Sequence, residues 1–201
     1  PAARVDAGGQ HFFGRDANLA ALLRRRLDVR AERLRVVLHH VGEQAADLVR
    51  LLDEVHGLGD ERAHWLAIAA MDLTAAALAA IVPGSRVVTC REELAAVWDA
   101  RQVPVFAPGR FLKTIDSESP SPLPASWAVT SDSIAARLAV HLNAGRLILL
   151  KSTPTVEDIR VEDAARSGLV DAYFPVAAAT LGRVDIVCLR DSPLSSHRLR
   201  F

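Results

Sequence analysis

The sequence predicts an α/β protein: a three-layer α/β/α sandwich around a mainly parallel central sheet. The first observation is that short apolar, β-prone segments alternate with amphipathic helical segments along the chain. The second is the pattern of Leu123–Ser152, which is that of a strand, a helix and another strand. Such a unit is a right-handed crossover between two parallel strands.

Each part of this crossover has its own signal. Trp127–Thr130 is short, apolar and β-prone, which predicts a buried strand. Apolar residues then recur every four positions and predict a helix capped by the side chain of Ser131 or Asp132. Asn143-Ala144-Gly145 predicts its end, and Arg146–Leu150 predicts the second strand.

The crossover predicts a ligand site. Thr130–Ser133 and Lys151 each follow a strand, so both should reach the sheet edge where open α/β folds bind ligands, with Asp132 and Lys151 close enough to interact. The N–H groups of Ser131–Ile134 and the Lys151 ammonium suit a phosphate-bearing ligand. Asp132 could hold a metal or orient the lysine. The alternative is a plain helix cap and a solvated lysine. If the edge binds an anion, Lys151→Ala is expected to weaken that binding and to leave the fold intact, because a lysine at a strand end contributes little to a core.

The segments SWAVTSDSIAARLA and LILLKS resemble the amino acid kinase superfamily, which includes aspartokinase, glutamate 5-kinase and uridylate kinase. The resemblance covers most of the chain and is strongest from Pro124 to Ser152. It is closest to the small branch with 5-(aminomethyl)-3-furanmethanol phosphate kinase, of methanofuran-type cofactor synthesis. It implies that Asp132 and Lys151 are catalytic, and that further residues bind phosphate: Thr130, Ser131, Ser133 and Ser152.

The resemblance also implies two phosphate-binding loops nearer the N-terminus. In the first, Gly8 and Gly9 remain, but Asp6 stands where the family has a lysine. The second, a Gly-Gly-Gly loop in the family, is Val41-Gly42-Glu43 here, so Gly42 alone survives. A carboxylate facing phosphate repels it unless a metal intervenes. The nucleotide site is therefore predicted to be altered or lost.

Two functional hypotheses follow. In the first, the chain is a kinase-family protein with weakened or lost ATP-dependent phosphotransfer, linked to one-carbon metabolism of the methanofuran or methanopterin type. It would then bind a small-molecule ligand or a partner protein. In the second, it is an active small-molecule kinase that uses ATP and Mg²⁺ to phosphorylate a phosphate or carboxylate acceptor. We favour the first, because both phosphate loops have become acidic.

Composition limits the alternatives. The 201 residues are half apolar and carry 24 basic and 24 acidic side chains, which favours one folded domain over residues 1–201 and argues against a nucleic-acid partner. Cys90 and Cys188 lack metal-binding spacing and indicate free thiols in a reducing, cytoplasmic compartment. The start shows no signal-peptide core. The histidines match no metal motif, so no metal site is predicted.

The most apolar run, Trp65–Val82, contains Asp72 and falls short of the ~20 residues that span a bilayer. It predicts a buried helix or the interface of a homo-oligomer, and no membrane association. Thr114–Pro124 is rich in proline and serine, which suggests a lid, an acceptor loop or a plain surface loop. The other predicted helices are Asp16–Arg26, Gln44–Val55, Asp60–Ile81, Glu92–Ala100, Val161–Gly168 and Pro175–Leu181. The other predicted strands are Ala3–Ala7, Arg33–His39, Arg86–Cys90, Val103–Ala107 and Val184–Leu189, followed by a tail, Asp191–Phe201.

Overall fold

The computed structural model describes residues 45–153, 158–188 and 196–201. They fall into two compact units, one within Arg15–Trp127 and the other from Ala128 onwards. The predicted elements before residue 44 and both N-terminal phosphate loops lie outside the described residues. The single domain stays a prediction.

The first unit contains a parallel crossover. Its elements are α1 (residues 45–56), α2 (Asp60–Ile81), β1 (Ser85–Val88), α3 (Glu92–Asp99), β2 (Val103–Phe106), α4 (Pro108–Phe111) and a π-helical turn (Leu112–Asp116). Strands β1 and β2 are parallel, from the pair Ser85–Val103 to the pair Val88–Phe106. Val88, Leu94 and Val97 are buried and join α3 to the sheet. Helices α1, α2 and α3 and strands β1 and β2 were predicted from the sequence within two residues, whereas α4 and the π-helical turn were not predicted.

Helix α2 has the predicted bounds. Pro83 follows it and cannot continue the helix, and Gly84 has a φ of 75°, which favours glycine. Only a few of its residues are buried, and Leu66 and Leu73 are exposed. Of the two predicted alternatives, the buried helix is therefore wrong, and the homo-oligomer interface stays a prediction. By length and apolar composition alone, α2 is the one helix in the described part of the chain that could cross a membrane, because the whole helix is longer than the apolar run Trp65–Val82.

The second unit is built on a three-stranded sheet. Its elements are α5 (Ser131–His141), β3 (Leu147–Lys151), α6 (Val161–Arg166), α7 (Phe174–Ala177), β4 (Val184–Cys188) and β5 (Ser196–Arg198). The strand order is β3-β4-β5, with β3 parallel and β5 antiparallel to β4. Phe174, Val184 and Ile186 are fully buried and form the core of this unit.

The predicted strand Trp127–Thr130 is wrong: Trp127 and Ala128 form a turn, and the next two residues are irregular. The backbone groups find partners in a loop instead of a neighbouring strand. The Ala128 carbonyl accepts the Tyr173 N–H at 3.1 Å, and the Thr130 N–H donates to the Asp171 carboxylate at 2.9 Å. A short apolar run therefore does not need a strand partner when a loop satisfies its polar groups.

Three further segments differ from their predictions. Residues 114–116 of the predicted loop belong to the π-helical turn, and the Asp116 carboxylate accepts the Leu123 N–H at 2.8 Å. The predicted helix Pro175–Leu181 is one turn long. The predicted tail contains β5, because Leu199 is buried and the backbone of residues 196–198 pairs with β4.

Helix α2 carries a buried histidine. The His64 side chain is 5% exposed, and its Nδ1–H donates to the Ser126 carbonyl at 3.3 Å. Burial lowers the pKa of His64 below its ordinary value of about 6.5, and the bond to Ser126 opposes this only in part. The His64 imidazole is therefore neutral in the folded protein at neutral pH.

We expect His64 to make the protein less stable in mild acid. Because the folded pKa is depressed, the unfolded chain takes up the proton first, so the stabilisation is complete above about pH 6.5 and is lost as the pH falls through the folded pKa. Denaturant unfolding from neutral to mildly acid pH measures this. His64→Gln keeps an N–H donor without the titration and should lose less stability over that range. Parallel pH curves for the two proteins would show that His64 does not contribute.

Candidate functional site

The centre of the candidate site is an ion pair in the second unit. Lys151 is the last residue of β3, and its Nζ donates to both carboxylate oxygens of Asp132, at 2.8 and 2.7 Å. Asp132 lies in the first turn of α5. The side chains are 21% and 12% exposed, respectively, so the pair is shielded from water but still reachable. The predicted proximity of these two residues is confirmed.

Local chain geometry brings the pair together. Helix α5 ends next to Asn143, whose φ of 52° lies in the left-handed region, and the Ala144 N–H donates to the Ala139 carbonyl at 2.9 Å. The chain then enters β3, which runs parallel to β4 and ends with Lys151 opposite Cys188. The helix stop predicted from Asn143 therefore returns the chain so that the end of β3 meets the start of α5.

The start of α5 is capped by a residue that the sequence analysis missed. The Asp171 carboxylate accepts the Thr130 N–H at 2.9 Å, the Thr130 hydroxyl at 3.0 Å and the Ser133 N–H at 2.9 Å. It also accepts the Ser133 hydroxyl. The predicted cap by Ser131 or Asp132 is wrong, because a carboxylate 38 residues beyond Ser133 takes the position that favours a negative charge at a helix start.

A signal for Asp171 was present in the sequence. It is the single charged residue in the apolar segment Leu169–Phe174. A carboxylate in such a segment must find hydrogen-bond donors or remain in water, so it indicates a paired group. Its partner could not be deduced, because the contact joins residues far apart in the chain.

The bonds to Asp171 also change the predicted phosphate donors. Of the N–H groups from Ser131 to Ile134, that of Ser133 donates to Asp171, and that of Ile134 donates to the Thr130 carbonyl at 3.1 Å. The prediction that all four would face a ligand is therefore wrong for these two. Ser131 is exposed and Ser152 is half-buried directly after Lys151. Their phosphate contacts stay predictions, as do those of Thr130 and Ser133, and Gly8, Gly9 and Gly42 lie outside the described residues.

The electrostatic balance around Lys151 is unusual for a phosphate site. Burial raises the pKa of the Asp132 carboxyl, and the Asp171 carboxylate raises it further, whereas Lys151 and the Asp171 N–H oppose the shift. When all three side chains are ionised, the two carboxylates and the one ammonium give the cluster a net charge of about −1. A phosphate must therefore compete with Asp132 for Lys151, or bring a cation with it.

The donor set does not by itself make a metal site. Among residues 45–153, 158–188 and 196–201, no group of three or more His, Cys, Asp or Glu side chains is placed to hold a metal ion. Asp132 already accepts two bonds from Lys151. A cation at this edge would therefore take most of its ligands from phosphate oxygens or water, as Mg²⁺ commonly does with nucleotides.

In open α/β sheets, ligands bind at the carboxyl ends of parallel strands, and Lys151 lies at the carboxyl end of β3. A model of the amino acid kinase family matches residues 8–167. This is most of the chain, and the chain belongs to the amino acid kinase family. A search of the curated proteins gave no match. The predicted superfamily and the α/β class are thus confirmed, and the matched residues include Asp132 and Lys151 but end before Asp171.

Proposed function

We propose that this chain is an amino acid kinase-family protein that holds a phosphate-bearing small molecule at the Asp132–Lys151 edge, and that its ATP-dependent phosphotransfer is weakened or lost. The observation that carries the proposal is the bidentate ion pair at the end of β3, in a chain of this family. This pair keeps a cation and an orienting carboxylate together. The loss of activity is inferred from the acidic residues in the two phosphate loops.

Charge is the physical reason for a weakened reaction. Phosphoryl transfer depends mainly on positioning the reactants and neutralising the charge on the phosphates. Asp6 and Glu43 add carboxylates where the family has a lysine and a glycine. The charge of Lys151 is already neutralised by Asp132, and Asp171 adds a further negative charge beside Asp132. Mg²⁺ on the phosphates would supply part of the missing positive charge. The chain's own side chains offer little of it.

An active kinase is the second candidate, and the intact Asp132–Lys151 pair favours it. Such an enzyme would transfer the γ-phosphoryl of ATP to a phosphate or carboxylate acceptor. We further propose the features that the family suggests: a three-layer sandwich, a cytoplasmic protein, and a link to one-carbon cofactor metabolism. Homo-oligomer assembly through α2 is supported by its exposed leucines, Leu66 and Leu73. A partner protein on this surface is the alternative.

Restoring the family's residues tests the proposal. We expect the unmodified protein to show weak or no heat of MgATP binding in calorimetry. The variant Asp6→Lys/Val41→Gly/Glu43→Gly should bind at least about tenfold more tightly, because one carboxylate becomes an ammonium and another is removed.

The control is Glu54→Lys on the exposed part of α1, which makes the same charge change as Asp6→Lys outside the two phosphate loops of the sequence. It should leave MgATP binding as it is. Micromolar binding by the unmodified protein would contradict the proposal and favour the active kinase. An equal gain from Glu54→Lys would mean that only net charge matters.

A further inference from the structure

Asp171 bonds both to the residues that begin α5 and to the carboxylate that binds Lys151. Its carboxylate accepts bonds from the backbone and hydroxyl groups of Thr130 and Ser133. Its own backbone N–H donates to the Asp132 carboxylate. The side chain of Asp171 therefore holds the start of α5, and its backbone N–H holds the carboxylate that binds Lys151.

The position of Asp171 is itself fixed by the chain around it. The Asp171 carbonyl accepts the Phe174 N–H at 3.1 Å, and Phe174 is fully buried. Two residues away from Asp171, the Tyr173 N–H donates to the Ala128 carbonyl at 3.1 Å. Residues 171–174 are thus anchored in the core and against the segment that leads into α5. A rigid anchor can set the orientation of a helix start, whereas a mobile side chain cannot.

We infer that Asp171 is a positioning residue that locks the first turn of α5 so that Asp132 faces Lys151. This deepens the proposed function, and its effect on ligand binding rests on that function. Without the carboxylate, the N–H and hydroxyl groups of Thr130 and Ser133 bond to water instead, and the first turn of the helix is less stable. Asp132 then loses its fixed direction, and the bidentate bond to Lys151 opens part of the time.

A simple helix cap would predict only lower stability, so the test must read the ion pair itself. The chain has two lysines, Lys151 and the exposed Lys113 of the other unit, and two cysteines. Acylation of each lysine by an amine reagent can therefore be followed separately by peptide mass spectrometry. The fully buried Cys188, opposite Lys151 in the sheet, reports unfolding of the same unit through its reactivity with a thiol reagent.

We expect Asp171→Asn to raise the acylation rate of Lys151 about fivefold, because one charged acceptor is lost while the shape of the side chain is kept. The rate of Lys113 and the protection of Cys188 should not change. Asp171→Ala should raise the Lys151 rate further. The matched control is Asp163→Asn in α6, whose partner Arg166 is exposed, and it should leave both lysine rates unchanged.

The outcomes separate the inference from the proposed function. An unchanged Lys151 rate in Asp171→Asn overturns the inference, and so does a rise that appears only together with Cys188 exposure. Binding of inorganic pyrophosphate, measured by calorimetry, forms the second arm. If the unmodified protein does not bind pyrophosphate but Lys151 still becomes reactive in Asp171→Asn, the proposed function fails and the inference stands. If pyrophosphate binds and the variant binds it at least about threefold more weakly, both hold.

Discussion

Asp185→Ala will lower the free energy of unfolding of the second unit by about 3–5 kcal/mol, the largest stability effect that we expect in the described part of the chain. Asp185 is 1% exposed, and its Oδ2 accepts a bond from the Arg183 Nε at 2.7 Å and another from the Arg146 Nε. The Arg146 side chain is 17% exposed, so alanine would leave a mostly buried guanidinium without this carboxylate.

Chemical denaturation of the variant and the unmodified protein measures this loss. Asp163→Ala is the control, because it removes a carboxylate from an exposed ion pair with Arg166 and should change stability by less than about 1 kcal/mol. Equal stability losses in the two variants would contradict the assignment of Asp185 as a buried ionic centre.

Lys151→Ala will destabilise the second unit by about 2 kcal/mol at neutral pH, a figure reduced from the usual one for buried pairs because Lys151 is 21% exposed. From the sequence alone, Lys151→Ala is expected to leave the fold intact, because a lysine at a strand end contributes little to a core. The structure corrects this, because removing the ammonium leaves Asp132 buried and facing the Asp171 carboxylate. Bound pyrophosphate would lose its cation, and its affinity should fall at least about tenfold.

The destabilisation by Lys151→Ala should depend on pH in a known direction. The pKa of Asp132 is already raised by burial, and loss of Lys151 raises it further. A raised folded pKa means that stability is fully present below the unfolded pKa and is lost as the pH rises through the folded one. Unfolding in acid should therefore show a small difference from the unmodified protein, and unfolding at neutral pH a large one. A difference that does not vary with pH would refute this account, and Lys113→Ala is the control.

Local signals in the sequence predicted much of the fold. At the candidate site they predicted the proximity of Asp132 and Lys151 but not the role of Asp171. The bounds of α2 follow from a long apolar pattern that Pro83 and Gly84 end. Asp132 and Lys151 are joined by a single helix and a short turn, so their proximity could be predicted from local residues. Their contact survives although the predicted strand Trp127–Thr130 does not form.

Contacts between distant segments could not be predicted in the same way. Asp171 reaches Thr130 across 41 residues, and no periodicity or spacing in the chain encodes that bond. The same contact explains two wrong predictions, the cap at Ser131 or Asp132 and the free N–H groups at the helix start. A lone carboxylate in an apolar segment is a sign that such a partner exists, but only the folded chain shows which groups it binds.

The most direct test of a phosphate site at Lys151 is an NMR titration of protein labelled with ¹⁵N-lysine, in which the two lysine side chains give separate signals. Addition of pyrophosphate should shift the Nζ signal of Lys151 in a saturable way and leave that of Lys113 unchanged, because only Lys151 lies beside Asp132 at the end of β3. If Lys151 does not shift, or if both lysines shift together without saturation, the Asp132–Lys151 edge is not a phosphate site.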